Sequence, residues 1–263
     1  MKCWLKSIAA LGLAAAACVS AQTTVRVTVS GEVVHPGEIV FEGKPRLGDV
    51  AKTAQVTGRA YPLGAAWLRP TLQAEQTRLK AGVTYELGLI DKKAMADGKD
   101  LLGTVARSMR ERINEMPVTG RKVVRTLEPH TLQVSASDNL PVEEGDRLIY
   151  PSRPQTVTVM GAVEQVCALP HEGLKNVRDY VAECVVSPFA DHDVVYVIEP
   201  DGAVFEQGVA LWNRSPTMPV APGAVLYVPL GWRATERAAD ARFNRDMADF
   251  IATQPVAGSG KNP

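Results

Sequence analysis

The chain has 263 residues, 46% of them hydrophobic and 22% charged, with 29 lysines and arginines against 29 aspartates and glutamates. That composition supplies a sizeable core for one large or two small domains. Zero net charge argues against the basic face that nucleic-acid binding needs to neutralise phosphates, so no nucleic-acid partner is expected.

Residues 1–21 read as an export signal. Met1–Lys6 is short and basic, Ser7–Val19 is an apolar run rich in Ala and Leu, and Val19-Ser20-Ala21 puts small residues where a signal peptidase holds an extended chain. Cleavage after Ala21 removes two lysines and no acid, leaving the mature chain slightly acidic. The apolar run is shorter than the roughly 20 residues of a spanning helix, and no second run follows. The mature chain is therefore expected in the periplasm without a transmembrane segment. Lipoprotein anchoring at Cys18 is the minor alternative, with Ala15 standing where a leucine is usual. Cleavage also leaves only Cys167 and Cys184, which in an oxidising compartment read as one structural disulfide worth about 3 kcal/mol. A redox pair is the alternative, although the CxxC spacing that tunes thiol acidity is absent.

Further along, an internal repeat organises the chain. Val29-Ser30-Gly31-Glu32-Val33 matches Val159-Met160-Gly161-Ala162-Val163 without gaps, and Gly43, Leu47 and Asp49 match Gly173, Val177 and Asp179. Each copy reads as strand, bend, strand and short helix, the helices covering Arg46–Gln55 and Asn176–Cys184. Later, the segment 142–151 matches 220–229, a glycine turn followed by an apolar strand that Pro stops. The first copy thus carries extra residues between its helix and its last strand. They read as a helical hairpin at about 70–116: Leu72, Leu79, Val83, Leu87 and Ile90 form one apolar stripe, and Leu102, Val105, Met109, Ile113 and Met116 another. Gly82 and Gly88 weaken the first helix by about 1 kcal/mol each.

The second copy is compact, with strands at 156–163, 167–169, 194–199, 203–207 and 224–228 and a hairpin turn at Pro200-Asp201-Gly202. A small mixed sheet crossed by one helix is the ubiquitin-like β-grasp plan. The expected fold is therefore α+β: a β-grasp domain over 22–153 carrying the insertion, a second over 154–231, a C-terminal amphipathic helix over 232–252 and a flexible tail over 253–263. In that last helix Phe243, Met247 and Phe250 lie on one face, either docked on the body or offered to a partner.

No catalytic or metal motif is visible: the four histidines are scattered, and no elbow, P-loop, zinc motif or dinucleotide fingerprint occurs. The expectation is a non-enzyme without cofactor or metal. Glu143-Glu144-Gly145-Asp146 reads as an exposed turn, because the other copy has Ala221-Pro222-Gly223-Ala224 there. Trp67 and Trp212 are candidate platforms for a carbohydrate-binding module, with Trp212 alternatively a core or interface anchor. Arg110, beside the buried stripe, marks either a structural node or a contact surface.

Several stretches carry a family resemblance: Gly161-Ala162-Val163, Leu169-Pro170, Val177-Arg178-Asp179-Tyr180, Ile198-Glu199-Pro200-Asp201-Gly202, Ala210-Leu211-Trp212-Asn213 and Thr119-Gly120-Arg121. In these the chain resembles the capsule biosynthesis GfcC-like family, similar in plan to the soluble-ligand-binding β-grasp (SLBB) domains of polysaccharide export lipoproteins. The resemblance implies a periplasmic protein of capsule or exopolysaccharide assembly and export. Its implied partners are the polysaccharide or outer-membrane polysaccharide export proteins, and an arginine of the inserted helices similar to Arg110 is part of it. An enzyme acting on the polymer is the least favoured alternative.

Overall fold

The computed structural model describes residues 24–256. The signal peptide, its cleavage after Ala21, the Cys18 alternative and the end of the 253–263 tail lie outside the described residues.

Two five-stranded mixed sheets carry the fold. The first is built from β1 (Thr24–Gly31), β2 (Gly37–Glu42), β3 (Ala66–Leu68), β4 (Arg121–Lys122) and β5 (Arg147–Tyr150), in the order β2-β1-β5-β3-β4. The second is built from β6 (Thr156–Gly161), β7 (Cys167–Pro170), β8 (Val194–Ile198), β9 (Val204–Gly208) and β10 (Val225–Val228), in the order β7-β6-β10-β8-β9. The two orders are the same. In each sheet the first and last strands pair in parallel and every other pairing is antiparallel. Helices α1 (Leu47–Ala54) and α5 (Val177–Ala182) take corresponding places.

The repeat persists at the level of single hydrogen bonds. Glu32 N–H donates to Tyr150 O at 2.7 Å, and Ala162 N–H to Val228 O at 2.8 Å. The bridges Val33–Val56 and Val163–Val186 correspond too. Gly31 and Gly161 have φ of 95° and 108°, and a Cβ there would stand 2.0 Å from Tyr150 O and 2.2 Å from Val228 O. Both the conformation and the close approach require glycine. The Cys167–Cys184 disulfide, Cα–Cα 6.2 Å, joins edge strand β7 to the residues just after α5. The first sheet has Gly37 and Ala54 at those positions and goes without it.

The extra residues lie between β3 and β4, where the second sheet has only the tight turn after β8. They form α2 (Gln73–Ala96) and α3 (Asp100–Glu115), with Pro70 opening a short 3-10 turn ahead of α2. Gln76 closes the neck of the insertion: its Oε1 accepts from Gly120 N–H at 2.7 Å and its Nε2 donates to Arg121 O at 3.0 Å.

The hairpin does not share the core of the sheet that carries it. Val83, Leu87, Ile90, Leu102, Met109 and Ile113 belong to one buried cluster with Val157, Val159, Val197, Leu226 and Tyr227 of the second sheet. The first sheet has a separate core around Val27, Val29, Leu47, Trp67, Leu132, Leu148 and Tyr150, closed in part by α4 (Pro129–Val134).

The C-terminal segment bridges hairpin and second sheet. The helix expected over 232–252 is two helices, α6 (Trp232–Thr235) and α7 (Phe243–Ala252). Asp240 divides them: its Oδ1 accepts from Arg242 N–H at 2.8 Å, the local side-chain bond by which Asp starts a new turn. Its own N–H donates to Glu86 of α2 at 2.7 Å. The beginning of the tail is also fixed rather than frayed, since Thr253 is buried and Gln254 Nε2 donates to Pro117 O at 3.1 Å.

Because Phe250 is fully buried between hairpin and sheet, Phe250→Ala is expected to cost about 3–5 kcal/mol in urea denaturation. A loss below about 1 kcal/mol would mean that α7 contributes no packing there.

Candidate contact surfaces

Arg110 sits on α3 against Gly88 of α2, whose missing side chain makes room: a Cβ there would stand 3.1 Å from Arg110 Nη1. The helix-weakening glycine thus seats the guanidinium. Around it lie Thr84, Tyr85, Leu89, Lys92 and Asn114 in a groove of about 430 Å³. Arg110 is half-buried, Lys92 is exposed, and neither has an ion pair or hydrogen bond among the described residues. By contrast, Arg107 one turn earlier is paired with Asp91 at 2.8 Å. Two cations beside an exposed tyrosine and an amide make a candidate contact surface, with donors that match anionic or hydroxyl-rich groups.

Trp212 is 77% exposed, on the loop that follows β9. That removes its reading as a core or interface anchor. Trp67, the other proposed platform, is a correction. It is fully buried on β3, with its Nε1–H donating to Asp146 Oδ2 at 2.9 Å and the Arg69 and Lys122 cations 4.3 and 4.7 Å from its ring centre. A ring so enclosed cannot receive a sugar.

The turn at 143–146 needs a correction as well. Glu144 is half-exposed and paired with Arg26 at 2.9 Å, but Asp146 is completely buried. Its carboxylate accepts from Trp67, from Arg69 Nε and Nη2 at 3.1 and 2.9 Å, and from Glu143 N–H at 2.9 Å. A buried carboxylate survives only with such partners. The repeat hid this, because the second sheet has Ala224 at the equivalent place.

Phe243, Met247 and Phe250 are likewise core residues, between 0% and 1% exposed. With α7 docked they offer no face to a partner. Its outer side carries i,i+4 ion pairs instead, Arg242 with Asp246 and Arg245 with Asp249.

Sequence reasoning missed the junction between the two sheets. Arg121, 5% exposed, reaches from β4 to the end of α7 and the β8–β9 turn. It donates to Ala252 O at 3.3 Å, to Gln254 O at 2.9 Å and to Pro200 O. Burial pulls its guanidinium down to about 10, opposed by the nearby Asp201 carboxylate. Beside it a pocket of about 220 Å³ is lined by Thr156, Met160, Glu199, Val225 and Ile251. Glu199 Oε2 is buried there without a hydrogen-bond partner. Thr119-Gly120-Arg121 was a visible signal, but the partners of the Arg121 guanidinium are 79 to 133 positions away.

Among the described residues no cluster of three or more His, Cys, Asp or Glu could hold a metal ion. No helix among them is long and apolar enough to cross a membrane.

Against known families, the model of the capsule biosynthesis GfcC N-terminal region matches residues 21–153, and that of the GfcC C-terminal region matches 165–255. The chain belongs to the capsule biosynthesis GfcC family. The boundary between the two matches falls between β5 and β7, near the change from one sheet to the next. A relative, the uncharacterized protein YjbG of Escherichia coli K12, is 26% identical over 194 residues, covering 72% of this chain and 78% of its own. In GfcC terms, the hairpin belongs to the N-terminal match and α7 to the C-terminal one, so their contact ties the two family regions together.

The junction titrates in a defined direction. Burial pushes the Glu199 carboxyl up from 4.5 to about 7, opposed by a hydrogen bond from Ala221 N–H and reinforced by Asp201. Between those two values the folded state keeps a proton that the unfolded chain releases. Its contribution to stability is complete below about 4.5 and is lost as pH rises through about 7. Glu199→Gln is therefore expected to raise the Tm relative to the parent more at pH 8 than at pH 5. A difference in Tm that does not change with pH would remove the buried-carboxyl account.

Proposed function

We propose that this GfcC-family protein is a non-enzymatic accessory factor of capsule or exopolysaccharide assembly and export, working in the periplasm by binding rather than catalysis. Three lines support the reading. The family models that span the chain are of capsule biosynthesis. The twice-used strand order, with its parallel pair and crossing helix, fits the ubiquitin-like β-grasp plan expected from the internal repeat. The leader read in residues 1–21 directs the chain out of the cytoplasm.

The observation that carries the binding half is the Arg110 groove. A half-buried guanidinium without a protein partner, seated over a glycine that weakens its own helix, is costly as architecture and useful as a contact. Acidic groups on the polymer or on the surface of an export protein fit it. Its rigid mounting, on a hairpin packed against the second sheet, keeps the cation in place before the partner arrives.

A deletion strain is expected to lose surface polysaccharide while still making lipid-linked repeat units. Complementation with Arg110→Ala should restore the protein's level but much less surface polymer than the parent gene. If repeat-unit synthesis itself stops, the placement in export is wrong. If surface polymer is unaffected by the deletion, the assignment to this process is wrong.

A further inference from the structure

Leu211 and Trp212 stand 86% and 77% exposed at the tip of the loop between β9 and β10, on the second sheet and apart from the Arg110 groove. Such exposure on a floppy loop would mean little. This loop is tied to itself. Gly208 N–H donates to Ser215 Oγ at 2.9 Å and Ser215 N–H to Gly208 O at 3.0 Å. Ala210 N–H donates to Asn213 Oδ1 at 3.1 Å. Gly208 also lets the opposite strand of the loop come close, since a Cβ there would stand 2.0 Å from Asn213 O.

The loop is then tied to the sheet through Asp193, just before β8. Asn213 Nδ2 and Val209 N–H both donate to Asp193 O, at 2.9 and 2.8 Å. The indole is held as well: Trp212 Nε1–H donates to Asp193 Oδ1 at 3.1 Å. A large aromatic ring is thus oriented by a hydrogen bond at its edge while most of its surface stays in water. Fixing a ring in this way costs rotamer entropy and gains little burial in the free protein. It lowers the entropy lost when something flat settles on the ring.

What settles there must match three features. The ring offers a flat, polarisable apolar face. Asp193 Oδ2, beside the ring edge, has no partner among the described residues and is free to accept a hydrogen bond. Charge near the tip is mixed in sequence, with Arg214 two positions after Trp212 and Asp191 and exposed His192 just before Asp193. An anionic bilayer would be repelled by the Asp193 carboxylate at the indole edge. A pyranose has both required surfaces, a flat patch of C–H bonds and a rim of hydroxyl donors.

We propose that the Trp212 loop is a saccharide-stacking subsite: the indole takes the C–H face of a pyranose of the surface polymer, and Asp193 accepts from its hydroxyls. The identity of the polymer rests on the accessory role above; the chemistry of the subsite does not.

The test is saturable tryptophan fluorescence in the mature chain from Gln22 onward, which lacks Trp4, carrying Trp232→Phe, so that Trp212 is the exposed reporter and Trp67 is buried. The saccharide probes are maltohexaose, cellohexaose, chitohexaose and the surface polysaccharide purified from the source strain, with phosphatidylcholine–phosphatidylglycerol vesicles as the comparison. At least one saccharide is expected to give a saturable change, with affinity, followed by calorimetry, falling at least about fivefold in Trp212→Ala and also in Asp193→Ala. Two results would overturn the proposal. One is no saturable response to any probe, or one that persists in Trp212→Ala. The other is a response only to phosphatidylcholine–phosphatidylglycerol vesicles, which would make the loop a membrane contact. Either of these, with the deletion strain still losing surface polymer, would remove the subsite and leave the accessory role standing.

Discussion

The arrangement of the molecule depends on one buried cation. Arg121 leaves the shortest strand of the first sheet and finds three carbonyl oxygens, two at the end of α7 and one in the β8–β9 turn. A guanidinium has five donors in a fixed fork, so a set of carbonyls converging on it must hold its relative position. Removing that cation would leave carbonyl oxygens at the end of α7 and in the β8–β9 turn without their donor, in a buried place. The same contact fixes where the neck of the insertion meets the C-terminal helix.

From that point the core divides in a way that chain order conceals. The hairpin starts and ends in the first sheet, yet its apolar stripe completes the core of the second through α7. The first sheet closes separately around Trp67 and the Arg69–Asp146 pair. This division leaves the Arg110 groove on the outer side of a hairpin backed by α7, and the Trp212 loop on the edge strand of the same sheet. Both proposed surfaces therefore stand on one packed body rather than on separate hinged pieces.

Much of this was legible because some constraints are local. Gly31 and Gly161 mark the repeat, since each sits where a Cβ would strike the carbonyl of the returning strand. The apolar stripes of the hairpin are visible at helical spacing. The strand holding Trp67 was not legible: Ala66, Trp67 and Leu68 are all buried, so no alternation announces them. Asp146 looked like a turn residue because its partners lie 77 and 79 positions earlier. The stripe of Phe243, Met247 and Phe250 was visible, but a stripe says only that something covers it. That α2 and the second sheet provide the cover depends on contacts no short window contains. Arg110 was found by residue type and position, and Gly88 beneath it becomes meaningful only once the two helices are paired.

The central claim is that the inserted hairpin, α7 and the second sheet behave as one cooperative unit although the hairpin is embedded in the first region of the chain. Native-state hydrogen exchange at increasing denaturant, resolved by segment, tests this most directly. The account predicts that the slowest amides of α2 and α3 open with the same free energy and denaturant dependence as those of α7, β6 and β10. If instead the hairpin amides open together with β1 and β5 while α7 and the second sheet remain protected, the claim is contradicted.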